Sequence, residues 1–152
     1  MSDLTFRFAQ EADLPAMVAL LADDDISALQ ELNAPQLAPE YAKAFAAMSR
    51  APANRMLLAE RGGEIVGALQ LVFIPCLSRR GAMRALIQSA RVTSSARGES
   101  IGTALVNRAV EEAKNAGCSL VQVMSDKRRA RAHLFYRRLG FQQSHEGFTL
   151  EL

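Results

Sequence analysis

The stretch "SARGESIG", residues 95–102, lies between an apolar run and a long helical pattern. It carries two glycines, two serines and an arginine, with no proline or asparagine to mark an ordinary turn. Unpaired N–H groups at the start of a helix, together with the helix dipole, form an anion site without any charged side chain. Gly98 lets the backbone approach a ligand closely, and Arg97 adds a charge-assisted contact. The stretch is not a Walker loop, since no Lys-Ser/Thr follows its last glycine. Nor is it a dinucleotide fingerprint, because the glycine spacing differs. A plain glycine-containing turn from strand to helix would read the same way, so the flanking elements decide.

Upstream, "MRALIQSARV" (83–92) is a strand pattern. Downstream, a helix beginning near Gly98 sets Ile101, Ala104, Leu105, Ala109 and Ala113 on one stripe, and Gly117 stops it. "SLVQVM" (119–124) is apolar except at Ser119 and Gln122, the pattern of a strand covered on both faces. A last helix runs from about Ala130 to Leu139 and ends at Gly140. "FQQS" and "FTLEL" then read as two short closing strands.

Towards the N-terminus, "LTFRFA" alternates as a strand. The helix "ADLPAMVALLADDD" follows, with Asp13 as N-cap, Pro15 in the first turn, and Leu14, Met17, Val18 and Leu21 on one face. A loop with Pro35 and Pro39 leads to a second helix near 40–49. "RMLLAE" and "EIVGALQLVFI" are strands joined by the hairpin "RGGE", and Pro75 closes the second. The expectation is one mixed α/β domain over residues 1–152.

Composition narrows the classes. At 152 residues, 49% hydrophobic and 22% charged, the chain is an ordinary globular one with enough length for a real core. Its net charge of +2 says little about partners. Basic residues cluster locally at Arg79, Arg80 and Arg84 and from Lys127 to Arg131, where a solvated face is the plain explanation. No helix-turn-helix or aromatic-studded basic strand accompanies them, so nucleic acid is not an expected partner. Cys76 and Cys118 are too few for a disulfide framework or a zinc site, and no metal is expected. "MSDLTFRFAQ" lacks the layout of a signal peptide, and no apolar run approaches the ~20 residues that span a bilayer. A cytoplasmic protein with no membrane partner is expected.

"ARGESIGTALVNRAVEEAKNAGCSLVQV" followed by "AHLFYRRLGF" resembles the GNAT superfamily of acyl-CoA dependent N-acyltransferases. That family carries an Arg/Gln-x-x-Gly-x-Gly/Ala loop at a helix start. After the next strand comes a helix bearing Ala-x-x-Phe-Tyr-x-x-x-Gly-Phe. Here Arg97, Ser100 and Gly102 stand at the loop positions, and Ala132, Phe135, Tyr136, Gly140 and Phe141 match the second pattern. The resemblance implies a central, mostly antiparallel sheet with one splayed parallel strand pair, flanked by about four helices. It implies acetyl-CoA as acyl donor, with its diphosphate on the N–H groups of Gly98, Glu99, Ser100, Ile101, Gly102 and Thr103 beside Arg97. The pantetheine arm would run between the strand ending at Val92 and "LVQVM", with Thr93 at the mouth. Lys127 and Arg128, with Arg129 beside them, are candidates for the adenosine phosphates. Ser100 departs from the family glycine, and a helical φ is expected there.

Acyl transfer to an amine needs a neutral nucleophile, a stabilised oxyanion and a proton for the departing thiolate. Tyr136 matches the family tyrosine near the thioester sulfur, and backbone N–H near Val92 is the candidate oxyanion donor. Gln88 stands four residues before Val92, where many relatives place a glutamate. An amide takes no proton at neutral pH, so it serves only to orient a water or a polar group. Replacement bases are His145, Glu146 or the Asp23 to Asp25 run, while His133 reads as exposed. Arg79, Arg80 and Arg84 are candidates to attract an acidic acceptor, with Phe73, Met83 and Phe148 as an apolar wall. The resemblance thus implies an N-acetyltransferase acting on a small-molecule or protein amine, with a homodimer left open. The alternative is a catalytically idle CoA-binding regulator on the same fold.

Overall fold

Strand β2 (Asn54–Arg61) buries four consecutive residues, Met56 to Ala59. Side chains alternate across a strand, so these four divide between two cores. Leu57 and Ala59 join one cluster, Met56 and Leu58 the other. A strand apolar on both sides must be covered on both sides, which makes the molecule a three-layer α/β/α stack.

The computed structural model describes residues 3–24, 26, 31, 38–98 and 100–152. In chain order, β1 (Leu4–Phe8) leads to α1 (Leu14–Ala22) and α2 (Pro39–Ser49). After β2 come β3 (Glu64–Pro75), the single turn α3 (Ser78–Gly81), β4 (Met83–Val92), α4 (Ile101–Asn115), β5 (Leu120–Val123) and α5 (Ala130–Arg138). The sheet runs β1-β2-β3-β4-β5, antiparallel through β4, with β4 and β5 parallel. Helix α4 lays Ile101, Leu105, Val106, Ala109 and Ala113 on one face of this sheet, and α1 lays Leu14, Met17 and Leu20 on the other. Turn α3 is helical in name only: Arg79 and Arg80 sit at φ 53° and 63°, left-handed like Gly81.

Several expectations shift. In α1 the buried fourth residue is Leu20 instead of Leu21. Asp13 precedes α1, but its carboxylate gives no side-chain cap to it. It accepts instead from the Gln10 N–H at 2.7 Å and from both terminal nitrogens of Arg7 at 2.7 and 2.8 Å. Strand β5 is half-buried throughout, because it stands at the sheet edge. The two closing strands do not form: residues 141–152 adopt no helix or strand, and 142–152 are exposed. Alternation alone does not make a strand, since each strand needs a neighbour for its backbone hydrogen bonds. The proline loop between α1 and α2 lies largely outside the described residues.

Arg7 ties the opening of the chain to the sheet, holding Asp13 on one side and Glu60 of β2 on the other at 2.6 Å. The Arg7 hydrogen bonds hold the Asp13 carboxyl below its ordinary value of 3.8, against the opposing effect of burial. A depressed carboxyl stabilises the fold above its unfolded pKa and loses that contribution as pH falls through the folded one. Asp13→Asn is therefore expected to cost about 0.5–1 kcal/mol at pH 6, the partial exposure of Arg7 limiting the value. The gap between variant and parent in urea melts should close as the pH drops below 3.8.

Candidate active site

Strands β4 and β5 are paired only from Arg84↔Leu120 to Ile87↔Val123. The next residue of β4, Gln88, has no partner on β5, although β4 continues to Val92. On the other side, β4 pairs with β3 at Gln70↔Gln88 and resumes at Ala68↔Arg91, so Ser89 and Ala90 together oppose Leu69 alone. This is a β-bulge, and Ser89 adopts φ 52° to make it. The bulge bends β4 away just where the parallel pairing stops. Between the diverging strands a cleft of about 390 Å³ opens.

Gln88, Arg91, Ser125, Asp126, Arg129 and Tyr136 bring the polar chemistry into that cleft; Met124 and Ala132 supply apolar wall. The two residues singled out for catalysis, Gln88 and Tyr136, are thus brought together. Val92 stays in the β3 ladder opposite Gly67, and its neighbour Thr93 donates its N–H to Val66 O at 2.9 Å. The backbone freed from the ladder lies earlier, at Ser89 and Ala90, and the sequence carried no glycine to announce it.

Tyr136 is positioned by the way α5 ends. Gly140 takes φ 93°, its N–H donates to Arg137 O at 3.0 Å, and the Phe141 N–H donates to Tyr136 O at 3.0 Å. These two bonds form a Schellman cap, in which the residue after the glycine packs on the last helical turn. Phe141 does so, edge-on to the Tyr136 ring at 5.6 Å, while Phe135 flanks the other side at 5.1 Å. The spacing Phe-Tyr-x-x-x-Gly-Phe is therefore a device for holding one phenol still. Burial pushes the phenol above its ordinary value of 10, and the positive charges of Arg91 and Arg129 pull against it. At neutral pH the hydroxyl is protonated and a donor.

Helix α4 starts at Ile101, later than the expected Gly98. Ser100 is left-handed at φ 63°, correcting the helical φ expected of it, and Gly98 is left-handed at 86°. Neither conformation propagates a helix. The Ser100 side chain makes no capping hydrogen bond, so the first-turn amides of Ile101, Gly102 and Thr103 have no cap from it. Gly102 sits where a Cβ would meet Phe135 at 3.5 Å and Val92 at 3.7 Å, so the helix start, the tyrosine helix and β4 converge there. Glu99 lies outside the described residues, as does Asp25.

The end of α1 ropes this loop in place. The Ser94 N–H donates to the Asp23 carboxylate at 2.8 Å, and Arg97 donates to the Asp23 carbonyl and, at 3.3 Å, to Val92 O. The Ser94 N–H holds the Asp23 carboxyl below its ordinary range, which makes it a poor base. Asp24 accepts both terminal nitrogens of Arg129, at 2.9 and 2.6 Å, in a largely shielded pair. The acidic run thus braces the site and supplies no free base from Asp23 or Asp24.

Other expectations part from the cleft. Arg129 turns inward, while Lys127 and Arg128 are exposed, and Arg128 clasps Asp126 at 2.8–2.9 Å. That pairing holds the Asp126 carboxyl well below the usual range. Arg79 and Arg80 lie beyond Met83, ~16 Å along β4 from Gln88 at 3.3 Å per residue. Arg84 bonds Gln122 and Ser78 at 3.2 Å each, and at the same far end Phe73 pairs with Ala85 and Met83 with Pro75. Phe148 is exposed. These residues build no common acceptor wall. His133 is half-buried, with Nε2 donating to the Asp126 carbonyl at 2.9 Å; His145 and Glu146 are exposed on the closing segment. Reasoning from sequence gave Arg129 to the adenosine phosphates instead of the cleft, and it missed Arg91 and Ser125, whose buried hydroxyl has no hydrogen-bond partner among the described residues. An arginine inside the apolar run "SARV" was the one available signal.

Residues 16–141 match the model of the Acetyltransferase (GNAT) family. The chain belongs to that family. It is an acyltransferase of the N-acetyltransferase kind. A protein described as an aminoalkylphosphonate N-acetyltransferase, from Salmonella typhimurium, is 38% identical over 108 residues, 71% of this chain and 70% of its own. A crystal structure of a transcriptional regulator from Bacillus halodurans C-125 superposes with a TM-score of 0.95 at 42% identity, covering 98% of this chain and 99% of its own. A predicted acetyltransferase from Clostridium acetobutylicum, solved with acetyl-CoA, shares the fold at 21% identity and a TM-score of 0.74, covering 97% and 96% of the two chains. Among the described residues no helix is long and apolar enough to cross a membrane.

The left-handed φ at Ser100 generates a stability prediction. Ser100→Val, β-branched at a left-handed position, is expected to lower unfolding stability by about 1–2 kcal/mol, whereas Ser100→Gly should not lower it by more than a few tenths. Urea denaturation of the two variants checks this.

Proposed function

We propose that this enzyme moves an acetyl group from acetyl-CoA to the primary amine of a small acceptor that carries an acidic group, such as a phosphonate. The observation that carries the reading is the cleft at the break between β4 and β5. It holds a protonated phenol, bulged backbone and two guanidinium groups within one volume. The Salmonella relative, described by an aminoalkylphosphonate acceptor, supports the acidic group.

The residues fit the coenzyme in kind. Left-handed Gly98 and Ser100, ahead of a helix start without a side-chain cap, suit a diphosphate on residues 98–103, with Arg97 and Thr93 beside it. The diverging edges of β4 near Val92 and of β5 suit an extended arm that pairs with backbone, and Lys127 and Arg128 lie in solvent for outer phosphates. When bound, the coenzyme supplies an activated thioester. The chain supplies the rest: backbone amides at Ser89 and Ala90 to bind a developing oxyanion, and the Tyr136 hydroxyl to give its proton to the departing sulfur. Arg91 and Arg129 ease that transfer by stabilising negative charge on the phenol oxygen. Replacing Tyr136 by Phe is expected to lower kcat by about a hundredfold. The thermal shift produced by acetyl-CoA should stay unchanged, since binding does not need the hydroxyl.

Among the described residues the ionisable groups lining the cleft are Arg91, Asp126, Arg129 and Tyr136. None takes a proton at neutral pH: two are cations, the phenol is already protonated, and Asp126 is held acidic by Arg128. Gln88 orients without accepting a proton. The acceptor amine must therefore arrive neutral. In kcat/KM profiles the rising limb should move with the amine pKa when acceptors of different basicity are compared; a limb fixed at one pH would point to an enzyme base and refute the assignment.

Thiol release across a panel of amines, with and without phosphonate or carboxylate groups, tests the acceptor class. Acidic amines should exceed neutral ones by roughly tenfold in kcat/KM, worth ~1.4 kcal/mol, and Arg91→Gln should erase that preference. A second reading, an idle coenzyme-binding regulator, draws on the description of the Bacillus halodurans protein. Turnover with any acceptor, lowered about a hundredfold in the Tyr136→Phe variant, excludes it.

A further inference from the structure

Beyond the last β4–β5 pair, the Met124 N–H still donates to Ile87 O, at 3.4 Å. Ser125 comes next, so it stands on the β5 wall where the two strands part, with Gln88 on the β4 wall. Its hydroxyl is buried and has no hydrogen-bond partner among the described residues. A buried hydroxyl left unpaired is unfavourable, so a ligand that supplies the missing partner gains by doing so. Turning about the Cα–Cβ bond between staggered positions breaks no hydrogen bond and carries the oxygen toward the cleft that Ser125 lines.

The rest of the wall says which partner is wanted. Arg91 and Arg129 only donate, and the protonated Tyr136 hydroxyl is a donor as well. Both Asp126 carboxylate oxygens are taken by the backbone and side chain of Arg128 at 2.8–2.9 Å. The Asp126 carbonyl is taken too, by the Arg129 N–H at 3.0 Å and His133 Nε2 at 2.9 Å. Ser89 is exposed, so water serves its hydroxyl. The cleft is thus rich in donors. Among the described residues its sheltered side-chain acceptors are the Gln88 amide oxygen on one wall and the Ser125 hydroxyl oxygen on the other. A neutral primary amine that turns its lone pair to a carbonyl carbon has two N–H groups left to donate.

We propose that Ser125 is the residue that makes this site selective for primary amines. Its hydroxyl oxygen accepts one N–H of the acceptor and the Gln88 amide oxygen accepts the other, which aims the lone pair. The assignment rests on the acetyl-transfer reading of the cleft. As the C–N bond forms, the nitrogen gains positive charge and its N–H groups donate more strongly, so both bonds tighten toward the transition state. The nitrogen then releases one proton to water. Tyr136 gives its proton to the sulfur as the C–S bond breaks, and the phenol regains one from water. A secondary amine has one N–H and an alkyl group in place of the other, which leaves one wall acceptor unpaired. A site built to hydrogen-bond a group rejects the analogue that lacks it.

The test compares an acceptor amine that the wild type turns over with its N-methyl derivative, as kcat/KM per neutral amine. The primary amine should lead by roughly tenfold or more. Ser125→Ala should lower kcat/KM for the primary amine by roughly tenfold and leave the N-methyl derivative nearly unchanged, so the ratio collapses. Ser125→Thr, which keeps the hydroxyl, should restore it. Ser125→Cys, close in shape and a weak acceptor, should behave as the alanine chain does and serves where that chain folds poorly. The thermal shift produced by acetyl-CoA should be the same in all four proteins. A ratio that survives both Ser125→Ala and Ser125→Cys overturns the proposal. So does an equal fall for both amines, or a lost acetyl-CoA shift, either of which marks a structural or coenzyme-side role. A wild type that turns over no amine at all overturns the acetyl-transfer reading, and the assignment of Ser125 falls with it.

Discussion

The architecture turns on a strand pair that stops early. Parallel pairing between β4 and β5 holds for four residues and ends at Ile87↔Val123, while β4 runs on through a bulge. Below that point the sheet is a closed, two-sided core element, with Ala85 and Ile87 wholly buried. Above it, backbone hydrogen-bonding groups on facing strands have no strand between them. Unpaired backbone is costly when buried, so the gap stays open to solvent or takes a ligand able to replace the missing strand. The bulge at Ser89 fixes where that begins, and its left-handed φ is held because the β3 ladder on both sides is continuous.

The other parts converge on the gap from three directions. Helix α4 enters with left-handed residues that leave its first turn uncapped by Ser100, and Gly102 lets Phe135 and Val92 close against it. Helix α5 ends in a glycine cap that fixes Tyr136 between two aromatic rings. The end of α1 contributes two neighbouring aspartates with different tasks, Asp23 on the Ser94 amide and Asp24 on Arg129. Arg129 is thereby a bridge across the sheet faces, joining the α1 side to the α5 side at the cleft. Burial alone would raise the phenol further, and it lowers the Arg91 pKa with help from repulsion by Arg129. A buried phenol between two retained cations is a group whose anion costs less than burial alone would make it.

Sequence made the frame legible because its signals are local. Periodicity placed α4 and α5, the glycines at 117 and 140 marked their ends at the left-handed positions, and "RGGE" marked the β2–β3 turn. Tyr136 and Gln88 were singled out through the family resemblance, and the fold brings both to the wall of one cleft. What escaped was set by relations between elements. Ser89 and Ser100 both take left-handed φ without being glycine, so composition pointed away from it. Arg91 and Arg129 come together only through the β4 bulge and the start of α5, 38 residues apart in sequence. The basic turn at Arg79 and Arg80 looked like an anion lure, but the direction of β4 carries it to the far end of the sheet.

The closing segment shows the same limit from the other side. Its alternating pattern reads as a strand, and the reading fails within one chain because pattern selects a face and supplies no neighbour. An alternating pattern therefore becomes a strand only where the fold brings a sheet edge within hydrogen-bonding reach of the segment, and among the described residues none is brought to it.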